Sequence, residues 1–261
     1  LRVDDGVMGS FSKLMVRIIF GFRGPRNKVL GAVLSGVVEE IGDEVDKFSV
    51  GDEVYAMTGL RMGGFAEYAV LSQNKAVSLK PKTASFNEAA AIPFGGTTAL
   101  YFLKKASVDS AKNVLIYGSS GSVGTSAVQV AKYYGCNVVA VSGKDGMKLS
   151  KELGASKVYN YKKQKLDEIE DSFDVVFDAV GKIKKSHIEK ILTDKGKFVT
   201  VGGLDVAKEQ ASDLQQLAEM YDNGKLVAVI DETFKLDDIV EAHRYVDTGR
   251  KKGSVVITVA D

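Results

Sequence analysis

The stretch Asn113-Val-Leu-Ile-Tyr-Gly-Ser-Ser-Gly-Ser-Val-Gly124 constrains the fold of this chain more than any other. Val114 to Tyr117 form an apolar run suited to a short strand buried on both faces. Gly118, Gly121 and Gly124 follow at even spacing, and Val123, Ala127, Val130, Ala131 and Tyr134 recur behind them at helical spacing. A strand, a glycine turn and a helix therefore come in immediate succession. Such a turn lets backbone approach a ligand closely, and the new helix offers free N–H groups and its positive dipole end to a phosphate. The spacing is Gly-x-x-Gly-x-x-Gly, not the Gly-x-Gly-x-x-Gly of the commonest dinucleotide fingerprint. In a chain with 27 glycines the triplet alone fits a plain tight turn equally well. The strand ahead of it and the amphipathic helix behind it supply the context a dinucleotide site requires.

A chain of 261 residues holds one large domain or two modest ones. Hydrophobic content of 45% and charged content of 26% are ordinary for a soluble globular protein. A net charge of +1 gives no reason to expect nucleic acid or an anionic membrane as partner. The clusters Lys162-Lys163 and Lys182 to Lys185 are broken by apolar and acidic neighbours and read as solvated faces. The single cysteine, Cys136, excludes an internal disulfide framework, and its place before Val138 to Val141 suits a small buried residue. No signal peptide is recognisable, and the longest apolar run, Leu14 to Phe22, is short, carries Arg17 and ends at Gly24-Pro25. The expectation is a cytoplasmic enzyme.

From Val29 to Val77 short β-like runs are punctuated by glycine, with a hairpin-like Gly51-Asp52 turn inside Phe48 to Tyr55 and a strand candidate at Gly64 to Val70. This texture suggests a small barrel or sandwich. Ser85-Phe-Asn-Glu88 is a capping box opening a helical segment that Pro93 ends, and Gly96 to Leu103 begins a further helix. From Asn113 the chain alternates. Strands are predicted at 114–117, 138–141, 157–160, 174–178 and 197–201, with helices at 123–134, 146–153 and 184–192. That is the pattern of an open parallel sheet, an α/β fold. Helices near 210–222 and at 236–247 and a strand at 254–259 close the chain.

In this order the phrases resemble the medium-chain dehydrogenase/reductase superfamily, and within it the zinc-free quinone oxidoreductase branch that includes zeta-crystallin. The matching stretches are Gly31 to Gly42, Val50-Gly-Asp-Glu-Val54, Gly64-Phe-Ala-Glu-Tyr68, Ala89-Ala-Ala-Ile-Pro93 with Thr97-Thr-Ala99, Gly118 to Gly124, Leu153-Gly-Ala155 and Asn160-Tyr161. Phe173 to Gly181, Gly196 to Gly203 and Lys252-Gly-Ser-Val-Val256 continue the series. The resemblance implies a Rossmann-type doubly wound sheet at 96–204 beside a GroES-like β-barrel catalytic domain from 1–95 and 205–261. It also implies a homodimer, with ligand in the cleft between the domains. Two departures stand out. Family members open with a few dozen residues forming the first barrel strands, and nothing before Leu1 supplies them, so a barrel short of those strands is expected. Leu204 to Ser212 is short and polar where relatives carry a longer apolar excursion; either the chain is a trimmed version, or the shortening is native and would weaken the substrate pocket and the dimer contact.

Zinc members of the superfamily surround the metal with cysteine, histidine and a further cysteine or acid. This chain has one cysteine and two histidines, and Ala32 stands where the zinc histidine would follow Gly31. His187 and His243 read as surface helix residues. No zinc site is expected. At the end of the second strand an acid would grip the ribose of NADH. Here Val141 is followed by Ser142-Gly143-Lys144, a hydroxyl and an ammonium that suit a 2′-phosphate, so NADPH is favoured over NADH. The resemblance implies that Thr98 touches the nicotinamide side and that Gly118, Ser120, Gly121, Ser122, Val123 and Gly124 hold the pyrophosphate. It further implies that Ser142, Gly143, Lys144 and Tyr161 hold the adenosine 2′-phosphate and ribose. Val180, Gly181, Val201, Gly202 and Gly203 would line the inner face. Strand-end packing explains Val180 and Val201 as well, and Tyr161 fits an ordinary aromatic after a strand.

The implied reaction is hydride transfer to a quinone or an α,β-unsaturated carbonyl, a small hydrophobic substrate, with the protein supplying orientation and hydrogen bonds to the developing oxyanion. The lack of zinc ligands favours such activated acceptors over simple alcohol–ketone interconversion. No proton donor is nominated. Tyr55 and Tyr68 are read as packing residues of barrel strands, and Met57, Leu60 and Met62 as an apolar loop walling the substrate pocket. The rival readings are a zinc-independent alcohol dehydrogenase or an enoyl-thioester reductase, and, in a different class, a cofactor-binding sensor or interaction protein without turnover.

Overall fold

A computed structural model of the chain describes residues 27–260; the run Leu14 to Phe22 lies outside them. Strands β1 (Val33–Val37), β2 (Glu53–Met57) and β3 (Val77–Leu79) form an antiparallel sheet in that order. Helices α1 (Phe86–Ala91) and α2 (Pro93–Lys105) follow. The capping box is formed: the Glu88 N–H donates to Ser85 Oγ, and Glu88 Oε2 accepts from the Ser85 N–H at 2.9 Å. Pro93 both stops α1 and starts α2, where its missing N–H costs nothing.

The central sheet consists of β4 (Asn113–Tyr117), β5 (Asn137–Ser142), β6 (Lys157–Asn160), β7 (Phe173–Asp178) and β8 (Leu192–Thr200). Its strands are all parallel, in the order β6-β5-β4-β7-β8. α3 (Ser122–Tyr133) joins β4 to β5, and α4 (Met147–Glu152) joins β5 to β6. The chain ends with α5 (Ala211–Asp222), β9 (Ile230–Lys235), α6 (Ile239–Asp247) and β10 (Ser254–Thr258), and β9 and β10 pair in parallel. No helix among the described residues is long and apolar enough to cross a membrane.

The apolar runs read as strands because the parallel sheet is covered on both faces. Val114, Ile116, Val175 and Phe177 face α2, α3 and α5, in one cluster with Phe102, Ala127, Leu214 and Leu217. Leu115, Val139, Val176 and Phe173 face the other way, against Ile188 and Ile191. Strand order reverses between β4 and β7, so their carboxyl ends diverge from a common crevice, the place where open α/β sheets bind ligands.

Three expectations fail. No α-helix spans 184–192; two 3-10 turns, Lys185–His187 and Glu189–Ile191, lead straight into β8, which starts at Leu192. Ile188 and Ile191 bury against the sheet, and an i, i+3 pair is aligned in a 3-10 turn as it would be in a helix. Gly64 to Val70 is not a strand: its first residues bond back to Leu30 and Gly31 (Gly64 N–H to Gly31 O 2.9 Å, Phe65 N–H to Leu30 O 2.9 Å), and Val70 stands 99% exposed. Tyr68 therefore lies in a loop. The Gly51-Asp52 turn closes on itself through Ser49 and the Asp52 carboxylate, and β2 pairs across the longer Val38–Asp52 connection with β1.

Candidate functional site

The glycine turn sits at the carboxyl end of β4. Gly118 has φ +79°, a conformation that L side chains rarely adopt, and its N–H and that of Ser119 both donate to Val141 O at 2.8 and 3.1 Å. Gly124 lies directly on the turn, with no room for a Cβ beside the Gly118 carbonyl. Gly121 differs. Only Gly118 O, at 3.7 Å, comes near the place of its Cβ, so internal packing does not require glycine there. Gly121 is also the N-cap of α3; no side chain caps that helix, and a bridge from Gly253 to Gly121 flanks its start, so its positive dipole end lies at the carboxyl end of β4 beside the crevice. The two observations together describe a cradle that fits a pyrophosphate.

The loop after β5 is held against the turn from behind. Ser119 Oγ is buried 2.7 Å from Ser150 Oγ, to which it donates when the Ser150 hydroxyl in turn donates to Gly146 O at 2.9 Å. Ser142 is 1% exposed and its hydroxyl donates to Gly143 O at 3.1 Å, so it braces the loop rather than facing outward. Lys144 is exposed beside it. Tyr161, half exposed after β6, lays its ring against Gly143 and 6.4 Å from the Tyr117 ring.

On the other side of the switch point, Val180 abuts Gly118. Gly181 and Gly202 lie back to back, a Cβ on Gly181 falling 2.7 Å from Gly202 Cα. The structure thus brings together Gly118 to Gly124, Ser142 to Lys144, Tyr161, Val180, Gly181 and Val201 to Gly203 along one edge of the sheet. Val123 and Gly124 are buried, so only their backbone could meet a ligand. Thr98 stands apart on α2 and its hydroxyl donates to Phe94 O at 2.7 Å.

Three features are not evident from the sequence. Asp178, fully buried at the end of β7, accepts hydrogen bonds from both loops on its side of the crevice. An acid closing an apolar strand is the signal that could have found it, because a buried carboxylate must be paired. Gly253 and Ser254 clasp the turn: the Gly253 N–H donates to Ser120 O at 2.8 Å, and the Ser254 and Ser122 hydroxyls are 3.0 Å apart. Lys251 donates to Gly253 O at 2.6 Å, and burial pulls its ammonium below the ordinary lysine range.

A cavity of about 1260 Å³ borders Ser122, Lys251 and Ser254 and extends past Phe94, Phe86 and Tyr68. Met57, Leu60 and Met62 do not border it; Met57 is buried in β2 and Leu60 is 70% exposed. Tyr55 is buried and donates to Leu214 O, and desolvation holds its phenol far above the ordinary range. The short loop after β8 docks on α2 through Asp205, which accepts from Tyr101 at 2.8 Å and pairs with Lys105.

Residues 10–81 match the alcohol dehydrogenase GroES-like domain family, and residues 153–257 match the zinc-binding dehydrogenase family. Over 251 residues the chain is 36% identical to 2-methylene-furan-3-one reductase of Solanum lycopersicum, covering 89% of this chain and 64% of that protein. Over 278 residues it is 32% identical to the mitochondrial NAD(P)H oxidoreductase RTN4IP1 of Mus musculus, covering 88% and 70%. The structure of the quinone oxidoreductase from Coxiella burnetii superposes with a TM-score of 0.84 at 29% identity, covering 94% of this chain and 83% of that one. The chain belongs to the medium-chain dehydrogenase/reductase superfamily. The chain spans 64% of the length of its tomato relative. Neither matched family span includes the glycine turn, so the turn is read on its own geometry.

The name of the second matched family implies zinc, and the donors present do not fit it. Among the described residues no three of His, Cys, Asp and Glu come together. His187 and His243 are exposed on separate elements, and Cys136 is buried under the Val108 and Ala111 carbonyls with its thiol pushed up by burial.

Proposed function

We propose that this chain is an NADPH-dependent, zinc-independent oxidoreductase that reduces quinones or α,β-unsaturated carbonyls. The observation that carries the reading is Gly121, free of any packing need for glycine, at the uncapped start of α3 in the sheet's switch-point crevice. The activities for which the tomato, mouse and Coxiella proteins are named support it.

In this reading Gly121 and the N–H groups of Ser122, Val123 and Gly124 hold the pyrophosphate. Lys144 faces the 2′-phosphate, with Ser142 bracing the loop that presents it and Tyr161 beside it. Val180, Gly181 and Val201 to Gly203 form the wall at the nicotinamide end. Residues 96–204 would then be the cofactor half, and 1–95 with 205–261 the substrate half. When bound, reduced nicotinamide supplies a hydride to an electron-poor carbon. The chain contributes orientation, and its apolar cavity beside Ser122 suits a small hydrophobic acceptor.

The test is a paired titration with NADPH and NADH followed by cofactor fluorescence, then NADPH oxidation across a panel of enones and quinones. NADPH should bind the more tightly, and Lys144→Glu should weaken it by at least about tenfold, the combined effect of removing an ammonium–phosphate attraction and introducing a repulsion. Equal affinity for both cofactors in both proteins would contradict the NADPH assignment. Saturable binding without oxidation of any acceptor would replace the enzyme by a cofactor-binding protein without turnover.

A further inference from the structure

Asp178 makes more of its carboxylate than ending a strand requires. Oδ1 accepts the N–H groups of Val180 and Gly181 at 3.0 and 2.9 Å. Oδ2 accepts the Ile183 N–H at 2.8 Å and the Thr200 hydroxyl at 3.1 Å. Thr200 is then fixed in direction: its hydrogen points to Asp178 and its oxygen accepts the Gly202 N–H at 3.0 Å. The backbone of the same aspartate accepts the Val201 N–H at 3.1 Å. One residue, 0% exposed, therefore holds the loops after β7 and β8 at once, where Gly181 and Gly202 touch.

We infer that Asp178 is a positioning residue that sets the nicotinamide-end wall by clamping the Val180–Ile183 and Thr200–Gly202 loops together. This rests on the proposed function. The Asp178 carboxylate bonds neither the glycine turn's N–H groups nor Lys144; its one approach to the turn is through Val180, whose side chain abuts Gly118, so the 2′-phosphate side at Ser142 to Lys144 lies outside the clamp. Replacing Asp178 by asparagine keeps its shape but turns one of the two acceptor oxygens into a donor facing donors, which releases one arm. Thr200→Val removes the bridge to the second loop and leaves the carboxylate with its three N–H partners.

The experiment titrates wild type, Asp178→Asn, Thr200→Val and Thr200→Ser with NADPH and with 2′,5′-ADP, a probe with the 2′-phosphate and no nicotinamide. It then measures turnover with a saturating enone and records melting curves. Asp178→Asn and Thr200→Val should bind 2′,5′-ADP as wild type does and lose the fluorescence change of bound NADPH. Their kcat should fall by about 10²-fold, the scale of a small misplacement of the reacting group, while Thr200→Ser keeps wild-type values. Wild-type kcat and NADPH fluorescence in both Asp178→Asn and Thr200→Val would overturn the inference. So would loss of 2′,5′-ADP binding in step with melting temperature, which marks a structural role alone. If Asp178→Asn does not fold, Thr200→Val decides by the same readouts. Failure of wild type to bind either probe would remove the proposed function itself, and this inference with it.

Discussion

The carboxyl edge of the parallel sheet and the loops from Glu39 to Leu71 are built on opposite plans. At the sheet edge each loop is tied to its neighbour by short bonds: the turn after β4 to Val141, the loop after β5 to Ser150, and the loops after β7 and β8 to Asp178. Beneath it, both faces of the sheet are fully packed, and Phe177 stacks on Phe102 at 5.6 Å between centroids. Between β1 and β3 the strands are short, the connections long, and Val37, Ile41, Tyr68 and Val70 are exposed. The sheet edge is overdetermined, which suits a site that must hold a cofactor in one pose. The loop region borders the cavity and is held at its base, by Gln73 to Glu44, Asp46 and Lys47 and by Gly64 and Phe65 to Gly31 and Leu30, while its apolar tips stand exposed, which suits the side that would adapt to different acceptors.

The contrast is broken most directly by paired core and loop substitutions. Phe177→Ala should cost about 3–5 kcal/mol in denaturant unfolding, because the buried ring leaves a cavity under the sheet. Gly124→Ala comes next, at about 1–3 kcal/mol, because a methyl has no room beside the Gly118 carbonyl. A smaller effect lies in the pH profile. The Asn113 and Lys112 N–H groups, at 3.0 and 2.9 Å, hold the Asp174 carboxyl below the ordinary aspartate range. Since the folded value is the depressed one, this stabilisation is complete above the unfolded value of about 3.9 and is lost as pH falls through the folded one. Asp174→Asn should therefore flatten the acid limb of the stability curve, and an unchanged limb would refute the assignment. Val70→Ser, on a 99% exposed residue, should change stability by no more than about 0.5 kcal/mol. Equal losses for Phe177→Ala and Val70→Ser would erase the distinction between the two regions.

The same contrast explains what could be read in the sequence. β4, β5 and β7 stand out because strands buried on both faces are uninterrupted apolar runs, and the helix behind the glycine turn keeps its 3.6-residue period. The Ser85 cap stands out because its signal is complete within four residues. Gly64 to Val70 misleads because a strand-like alternation needs a partner strand, and its backbone bonds instead to Leu30 and Gly31. The segment 184–192 misleads because Ile188 and Ile191 satisfy a 3-10 turn as readily as a helix. In the site, the glycine positions are legible and the braces are not. Ser142 reads as a ligand-facing hydroxyl until its bond to Gly143 O is seen, and Asp178 gains its role from Thr200, 22 residues away.

The most direct measurement is an NADPH titration of wild type and Gly121→Ala, each with a melting curve. A methyl at Gly121 meets only Gly118 O at 3.7 Å, so the variant should lose no more than the roughly 1 kcal/mol by which glycine exceeds alanine as an N-cap and stay folded, yet it fills the approach a pyrophosphate needs. Saturable binding by wild type and its loss in a variant that remains folded at the titration temperature is the expected result. Equal binding by both proteins, or none by folded wild type, would contradict a dinucleotide site at this turn.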